Sequence, residues 1–307
     1  MLRACEAKAI PIMQTKPAPT WIAAAPALFV VLWATGFIVA RLSAPHVEPL
    51  TFLAIRFAIA CAVLTVIAQL TGSKWPEWRQ ALHAVFAGVL LQSFYLGPVY
   101  WAVAHGLPAG ISALIAGLQP LLTALLATKY LGETIGRRQW AGVALGFAGL
   151  ILVLWPKLSF GVTGGITPIT IAVCFIGTVS ITIGTIYQKR YATGIDLASG
   201  SALQYAGGVA VLLIGALFLE DFRFDHTPEA WIALAWSVIV LSIGAIPLLM
   251  LLIRHGDVSR VSGLIFLVPG VAAAMAFVLF GESLTLVQIA GMAVCAAAVM
   301  LVTGKSR

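Results

Sequence analysis

Charge is scarce in this sequence. Aspartate, glutamate, lysine and arginine make up 9% of the 307 residues, against roughly a quarter in an average soluble domain. Hydrophobic residues reach 61%, and no water-soluble fold of this size has an interior large enough to hide that much apolar surface. Cysteine is scarce too. Cys5, Cys61, Cys174 and Cys295 are scattered, three of them inside apolar runs and none in C-x-x-C spacing, which argues against both a disulfide framework and a metal site. The five histidines, His46, His83, His105, His226 and His255, fall at or near the ends of apolar runs. Paired carboxylates, a Ser-His arrangement and an H-E-x-x-H motif are all missing at depth, so an intramembrane enzyme has nothing to work with. No cofactor is expected.

What the sequence has in abundance is apolar stretches of bilayer-spanning length. Ten are read: 21–41, 50–70, 80–104, 108–129, 137–155, 166–188, 197–218, 230–253, 259–280 and 285–303. The joints between them are short, so no separate soluble domain is expected. Residues 1–20 carry Arg3, Lys8 and Lys16 without an apolar core of their own, and no cleaved signal peptide is expected.

The formal charge of +7 could serve nucleic acid, but the placement of the basic residues points to a bilayer. With the N-terminus in the cytoplasm, fourteen of them fall inside: Arg3, Lys8, Lys16, Lys74, Arg79, Lys129, Arg137, Arg138, Lys189, Arg190, Arg254, Arg260, Lys305 and Arg307. Arg41, Lys157 and Arg223 fall outside, and Arg56 lies within a span. Positive charge marks the cytoplasmic side, so both termini are expected there.

Sliding the sequence on itself by 149 positions pairs Ser93 and Pro98 with Ser242 and Pro247, Pro120 with Pro269, Gly132-Glu133 with Gly281-Glu282, Gln139 with Gln288, Gly142 with Gly291, and Arg41 with Arg190. Around His105-Gly106 and His255-Gly256 the register slips by one. The chain is read as a cytoplasmic tail, 1–20, and two five-span units, 21–155 and 166–303. Five is odd, so the second unit enters the membrane from the opposite side. Inverted repeats are typical of secondary transporters, whereas a receptor gains nothing evident from them.

The paired signatures, Pro120 through Leu131-Gly132-Glu133-Thr134 to Gln139 and Gly142, and Pro269 through Phe280-Gly281-Glu282-Ser283 to Gln288 and Gly291, resemble the drug/metabolite transporter superfamily and its EamA-type exporters. Within it the chain is most similar to the YddG-type aromatic amino-acid exporters. The resemblance implies a bacterial inner-membrane exporter of amino acids or other metabolites, all-α, with ten helices around a central cavity.

Gln92, Ser93, Tyr95, Tyr100 and Trp101 cluster near a kink expected at Pro98, and Ser242 and Pro247 repeat the device. A proline in a membrane helix frees a carbonyl that protein or cavity water must satisfy. Pro98, Pro247 and Ser242 are therefore gating candidates, and Trp101, Tyr95, Gln92, Ser93, Tyr100 and the deep Trp33 are candidates for the substrate cavity. Tyr187, Tyr205 and Gln119 are added to the candidate site, Tyr187 at the cytoplasmic mouth. Trp21, Trp75, Trp78, Trp155 and Trp231 read as interfacial anchors. Arg56, about 10 Å from the outer end of its span, reads as a structural or gating charge that snorkels outward or pairs with Glu48. Glu133 and Glu282 read as caps. The expected partners are a small-molecule substrate and the lipid bilayer, with a monomer favoured over a dimer. No acid or histidine is expected in the membrane interior, so transport driven by the substrate's gradient is favoured, with a proton-coupled exporter as the alternative.

Overall fold

The structure, a computed structural model, describes residues 20–132, 134–159, 167–255, 263–280 and 285–303. Glu133, Gly281, Glu282, Gly256 and Ser262 of the repeat pattern lie outside these residues, as do all of the tail before Thr20 and the basic residues Arg260, Lys305 and Arg307. Among the described residues the fold is all helix, and the only extended pairing is a single antiparallel bridge between Val47 and Phe224.

Among the described residues six helices are long and apolar enough to cross a bilayer: Ala24–Ser43, Pro49–Leu70, Trp78–Ala104, Pro168–Tyr191, Leu197–Leu219 and Pro228–Leu249. In full the elements are α1 (Thr20–Ser43), α2 (Pro49–Leu70), α3 (Trp78–Gly88), α4 (Phe94–Ala104), α5 (Ala109–Ala116), α6 (Gln119–Tyr130), α7 (Arg137–Ser159), α8 (Pro168–Tyr191), α9 (Leu197–Leu219), α10 (Pro228–Trp236), α11 (Ile246–His255), α12 (Val268–Phe280) and α13 (Leu286–Thr303). A π-helical turn, Val89–Ser93, joins α3 to α4; a longer one, Ser237–Ala245, joins α10 to α11; and a 3₁₀ turn, Leu264–Leu267, leads into α12.

Proline explains these breaks. Its ring excludes the carbonyl four residues back and it cannot donate to it. Four residues before Pro120 stands Ala116, where α5 stops, so the expected continuous span 108–129 is two short helices. Four before Pro269 stands Ile265, inside the 3₁₀ turn. Four before Pro98 stands Phe94, the first residue after the π turn, and four before Pro247 stands Ile243, within the second π turn. The kinks expected at Pro98 and Pro247 are thus carried by wide turns on their N-terminal side. π turns of this kind recur at functional sites.

Packing respects the 149-residue offset. α2 lies antiparallel on α9, with Cys61 Sγ donating to the Ala202 carbonyl (3.4 Å) and Phe57 against Tyr205 (ring centroids 5.1 Å). α7 lies antiparallel on α13, where Cys295 Sγ donates to the Gly146 carbonyl at 3.8 Å, a contact spanning 149 positions. α1 packs on α10–α11 and α12, and correspondingly α8 packs on α3–α4 and α6. Even the caps match. Gly136 N–H donates to Gln139 Oε1 (3.0 Å) at the start of α7, and Thr285 N–H donates to Gln288 Oε1 (2.9 Å) at the start of α13. Each glutamine reaches back to the residue three before it, as in a capping box.

Candidate functional site

Where α1, α2, α4 and the second π turn converge, they leave a small cavity of about 40 Å³. It is lined by Trp33, Gly36 and Phe37, by Arg56, by Tyr95, Leu96, Val99 and Tyr100, and by Leu241, Ala245 and Ile246. Both halves of the chain contribute. Trp33 lies parallel to Tyr95 (6.5 Å, 7°) and tilts on Phe29 (5.2 Å), while Tyr100 stacks on Phe52 (5.9 Å). The volume is of the order of a few waters.

Arg56 is the one charge on this wall, and only 2% of it is exposed. Its Nε donates to Ser242 Oγ at 2.9 Å and one terminal nitrogen donates to the Tyr100 hydroxyl at 3.5 Å. The guanidinium also lies 5.0 Å from the Phe57 ring centroid. This corrects the expectation that it snorkels outward or pairs with Glu48. The Glu48 carboxylate instead accepts from the backbone N–H groups of Asp221 and Arg223 (3.0 and 2.8 Å), which draws it into the loop before α10. The guanidinium is held inward by hydroxyls from helices that the sequence separates widely. Tyr205, fully buried, donates to the Ser242 backbone carbonyl at 2.9 Å, so α9 fixes the residue that fixes Arg56.

The remaining sequence candidates are spread over several places. Tyr95, Tyr100 and Trp33 line the cavity, while Ser242 and Tyr205 form the layer behind Arg56. Gln92 and Ser93 are buried in the first π turn against α9, with Ser93 donating to the Gly208 carbonyl (2.9 Å). The Gln92 Oε1 atom is buried without a partner among the described residues. Pro98 packs towards Gly177 of α8, and Pro247 follows the lining residue Ile246. Trp101 is not on the cavity wall. Its ring stacks on His105 at 3.8 Å, and His105 Nδ1 lies 2.8 Å from the Trp101 carbonyl. The i, i+4 spacing of the two puts them on one face. Gln119 is buried at the α5–α6 break. Tyr187 lies far along α8, where its hydroxyl meets His83 Nδ1 at 2.6 Å and its ring meets Phe86 edge-on at 4.9 Å.

Sequence reading missed the small and apolar lining residues Gly36, Phe37, Leu96, Val99, Leu241, Ala245 and Ile246. It also missed Glu220. Both oxygens of this carboxylate close the start of α2, accepting from Leu50 N–H (2.8 Å), Thr51 N–H (2.7 Å) and Thr51 Oγ1 (2.8 Å). At the other end of the same helix pair Ser73 donates to Asp196 (3.1 Å) and Ser199 to the Lys74 carbonyl (2.9 Å). The α2–α9 pair is therefore tied at both ends.

The model of the EamA-like transporter family matches residues 20–155 and again 168–304. The chain belongs to the EamA-like transporter family. It is a multi-pass membrane transporter of the drug/metabolite transporter superfamily, and not an enzyme. Among curated relatives, the transporter is 28% identical over 273 residues to the Escherichia coli protein named "Uncharacterized inner membrane transporter YedA", covering 89% of this chain and 87% of that one. It is 26% identical to the "Probable amino-acid metabolite efflux pump" of Salmonella typhimurium, covering 86% and 88%. It is 25% identical to the "Probable terminal-alkyne amino-acid exporter" of Streptantibioticus cattleyicolor, covering 91% and 92%. A solved crystal structure superposes with a TM-score of 0.75 at 20% identity, covering 93% of this chain and 97% of its own, which shows the shared fold.

Proposed function

We propose that this transporter exports small metabolites, foremost amino acids with aromatic or other neutral side chains, by alternating access through the cavity around Arg56. The observation that carries the reading is that the cavity is built by both halves, at helices interrupted by π turns, with aromatic rings on its wall. Interrupted helices at the interface of inverted repeats are the usual place for a transported solute. The names of the Salmonella and Streptantibioticus relatives point to the same cargo. Two inverted repeats of five spans in the inner membrane, with both termini cytoplasmic, complete the proposal. In its support, Lys74, Lys129 and Arg190 gather at one end of the bundle, where Arg190 donates to the Tyr130 carbonyl and Lys74 receives Ser199.

The driving force in this reading is the gradient of the cargo itself. Of the described acidic residues, Glu48, Glu77, Asp196, Glu220, Asp221, Asp225 and Glu229, none lines the cavity, and a proton-coupled carrier needs a titrating group there. Glu6, Glu133, Asp257 and Glu282 lie outside the described residues. The test is counterflow of labelled amino acids in proteoliposomes held without a pH gradient or membrane potential. Accumulation against unlabelled internal amino acid supports the reading. Uptake seen only under an imposed proton gradient, and abolished by a protonophore, replaces it with a proton-coupled exporter.

A further inference from the structure

We infer that Arg56 anchors a carboxylate of the cargo, so that the transporter selects organic acids and zwitterions over amines that lack the acid group. The inference rests on the transport reading above and sharpens it to a substrate class.

Arg56 sits seven residues into α2, about 10 Å from that helix's start, and is 2% exposed. A buried guanidinium without a counter-ion is strongly unfavourable in a low dielectric, which is why buried charges are normally paired. Here the two groups that receive it, Ser242 Oγ and Tyr100 OH, are neutral. Two acids at or against the start of α2 are engaged elsewhere. Glu48 holds two amides of the α9–α10 loop, and Glu220 holds the first turn of α2. Among the described residues no carboxylate lies within ion-pair distance of Arg56.

A guanidinium has five N–H donors in a planar fork, and two are used. The remaining ones belong to a side chain that lines the cavity, and a fork of this shape binds a carboxylate through two parallel hydrogen bonds. Ser242, whose oxygen accepts from Arg56, holds the guanidinium from the second half of the chain. Beside this polar corner stand Trp33 and Tyr95, parallel to each other, which suit an apolar or aromatic remainder. The space of about 40 Å³ takes the acid group in the closed form and the rest of the molecule only after the helices part. Because Arg56 belongs to the first half and Ser242 to the second, a carboxylate bound between them also joins the two halves.

The experiment pairs each amino acid with the amine that lacks its carboxylate: phenylalanine with phenethylamine, and leucine with isoamylamine. Each is offered in counterflow and as a thermal stabiliser of the purified protein. The expected result is that at least one acid is carried and stabilises, while its amine does neither. Arg56→Gln should then lower apparent affinity for that acid on the order of 10- to 100-fold, the weight of a charge-assisted pair. Arg56→Lys, which keeps the charge and loses the fork, should fall between. If acid and amine cross equally well, the anchor is refuted and the transport reading stands. If neither member of either pair crosses or stabilises, amino-acid export itself fails and the inference falls with it. A purely structural Arg56 would show as loss of folded Arg56→Gln protein, with the folded remainder treating acid and amine as the native chain does. Should that variant give no folded protein, the native discrimination between acid and amine decides alone.

Discussion

Replacing Gly88 with alanine tests how tightly α3 and α9 are held. A Cβ built on Gly88 would sit 2.1 Å from the Gln204 carbonyl oxygen and 2.3 Å from its Cα. Ordinary contact begins near 3.4 Å, so the helices would have to separate by about 1.3 Å, and the obstacle is backbone that no rotamer change can remove. Overpacking of this kind costs about 1–3 kcal/mol. Small residues are also what lets membrane helices approach this closely. At roughly 2–4 °C per kcal/mol for a chain of this size, Gly88→Ala should melt roughly 2–12 °C below the native protein. Melting is followed by heating the detergent-purified transporter and measuring the surviving monodisperse peak by size exclusion. Gly36→Ala is the control, because its new methyl would meet only Leu241 Cδ1 at 3.9 Å. Equal melting of Gly88→Ala, Gly36→Ala and native protein would refute the close approach. The crossing lies one residue before the π turn that leads to Tyr95 and Tyr100, so Gly88→Ala should also lower counterflow per folded molecule.

Four further outcomes follow from the same contacts. Glu220→Ala removes three hydrogen bonds from the start of α2 and should cost about 1–3 kcal/mol, while Glu220→Gln should recover part of it; equal melting temperatures would deny the cap. Trp33→Ala should reduce counterflow of phenylalanine more than that of alanine, and Trp101→Ala should affect both alike, since only Trp33 lines the cavity; the reverse pattern would move the aromatic wall to Trp101. Tyr205→Phe, which removes the hydrogen bond to the Ser242 carbonyl, should lower transport with little loss of folded protein, and native rates would exclude it from the support of Arg56. Reporter fusions at the C-terminus and at Lys189-Arg190 should both report the cytoplasm, and an external signal at either would overturn the proposed orientation.

Much of the architecture could be read before any coordinates. Apolar length marks α1, α2 and α8, and the pairing of Gln139 with Gln288 marks two positions that the structure shows as matching helix starts, each closed by its glutamine. Breaks were harder, because hydropathy runs smoothly through Gly117-Leu118 and through Phe266-Leu267 although proline stops the helix there. Among the described residues, the ten-span reading meets six helices long and apolar enough to span, together with shorter ones. At the site, Trp33, Tyr95 and Tyr100 could be picked out by chemistry alone. Leu241, Ala245 and Ile246 could not, since apolar residues surround every membrane helix and nothing distinguishes the cavity face from the lipid face. The partner of Arg56 was hidden for a different reason: Ser242 is 186 positions away, and only the folded arrangement brings it near. Trp101, expected on the cavity wall, stacks instead on His105 four residues further on.

The cap that Glu220 places on α2 also bears on how the chain is made. Leu50 N–H and its acceptor are 170 positions apart, and a ribosome adding about 5–20 residues per second needs roughly 10–30 s to cover that distance. For all of that time the second helix is in the membrane with its leading amides exposed to headgroups and water. The start of α2 is therefore completed only after α8 and α9 have been synthesised, and a chain cut before Glu220 would leave α2 unfinished however well it inserted.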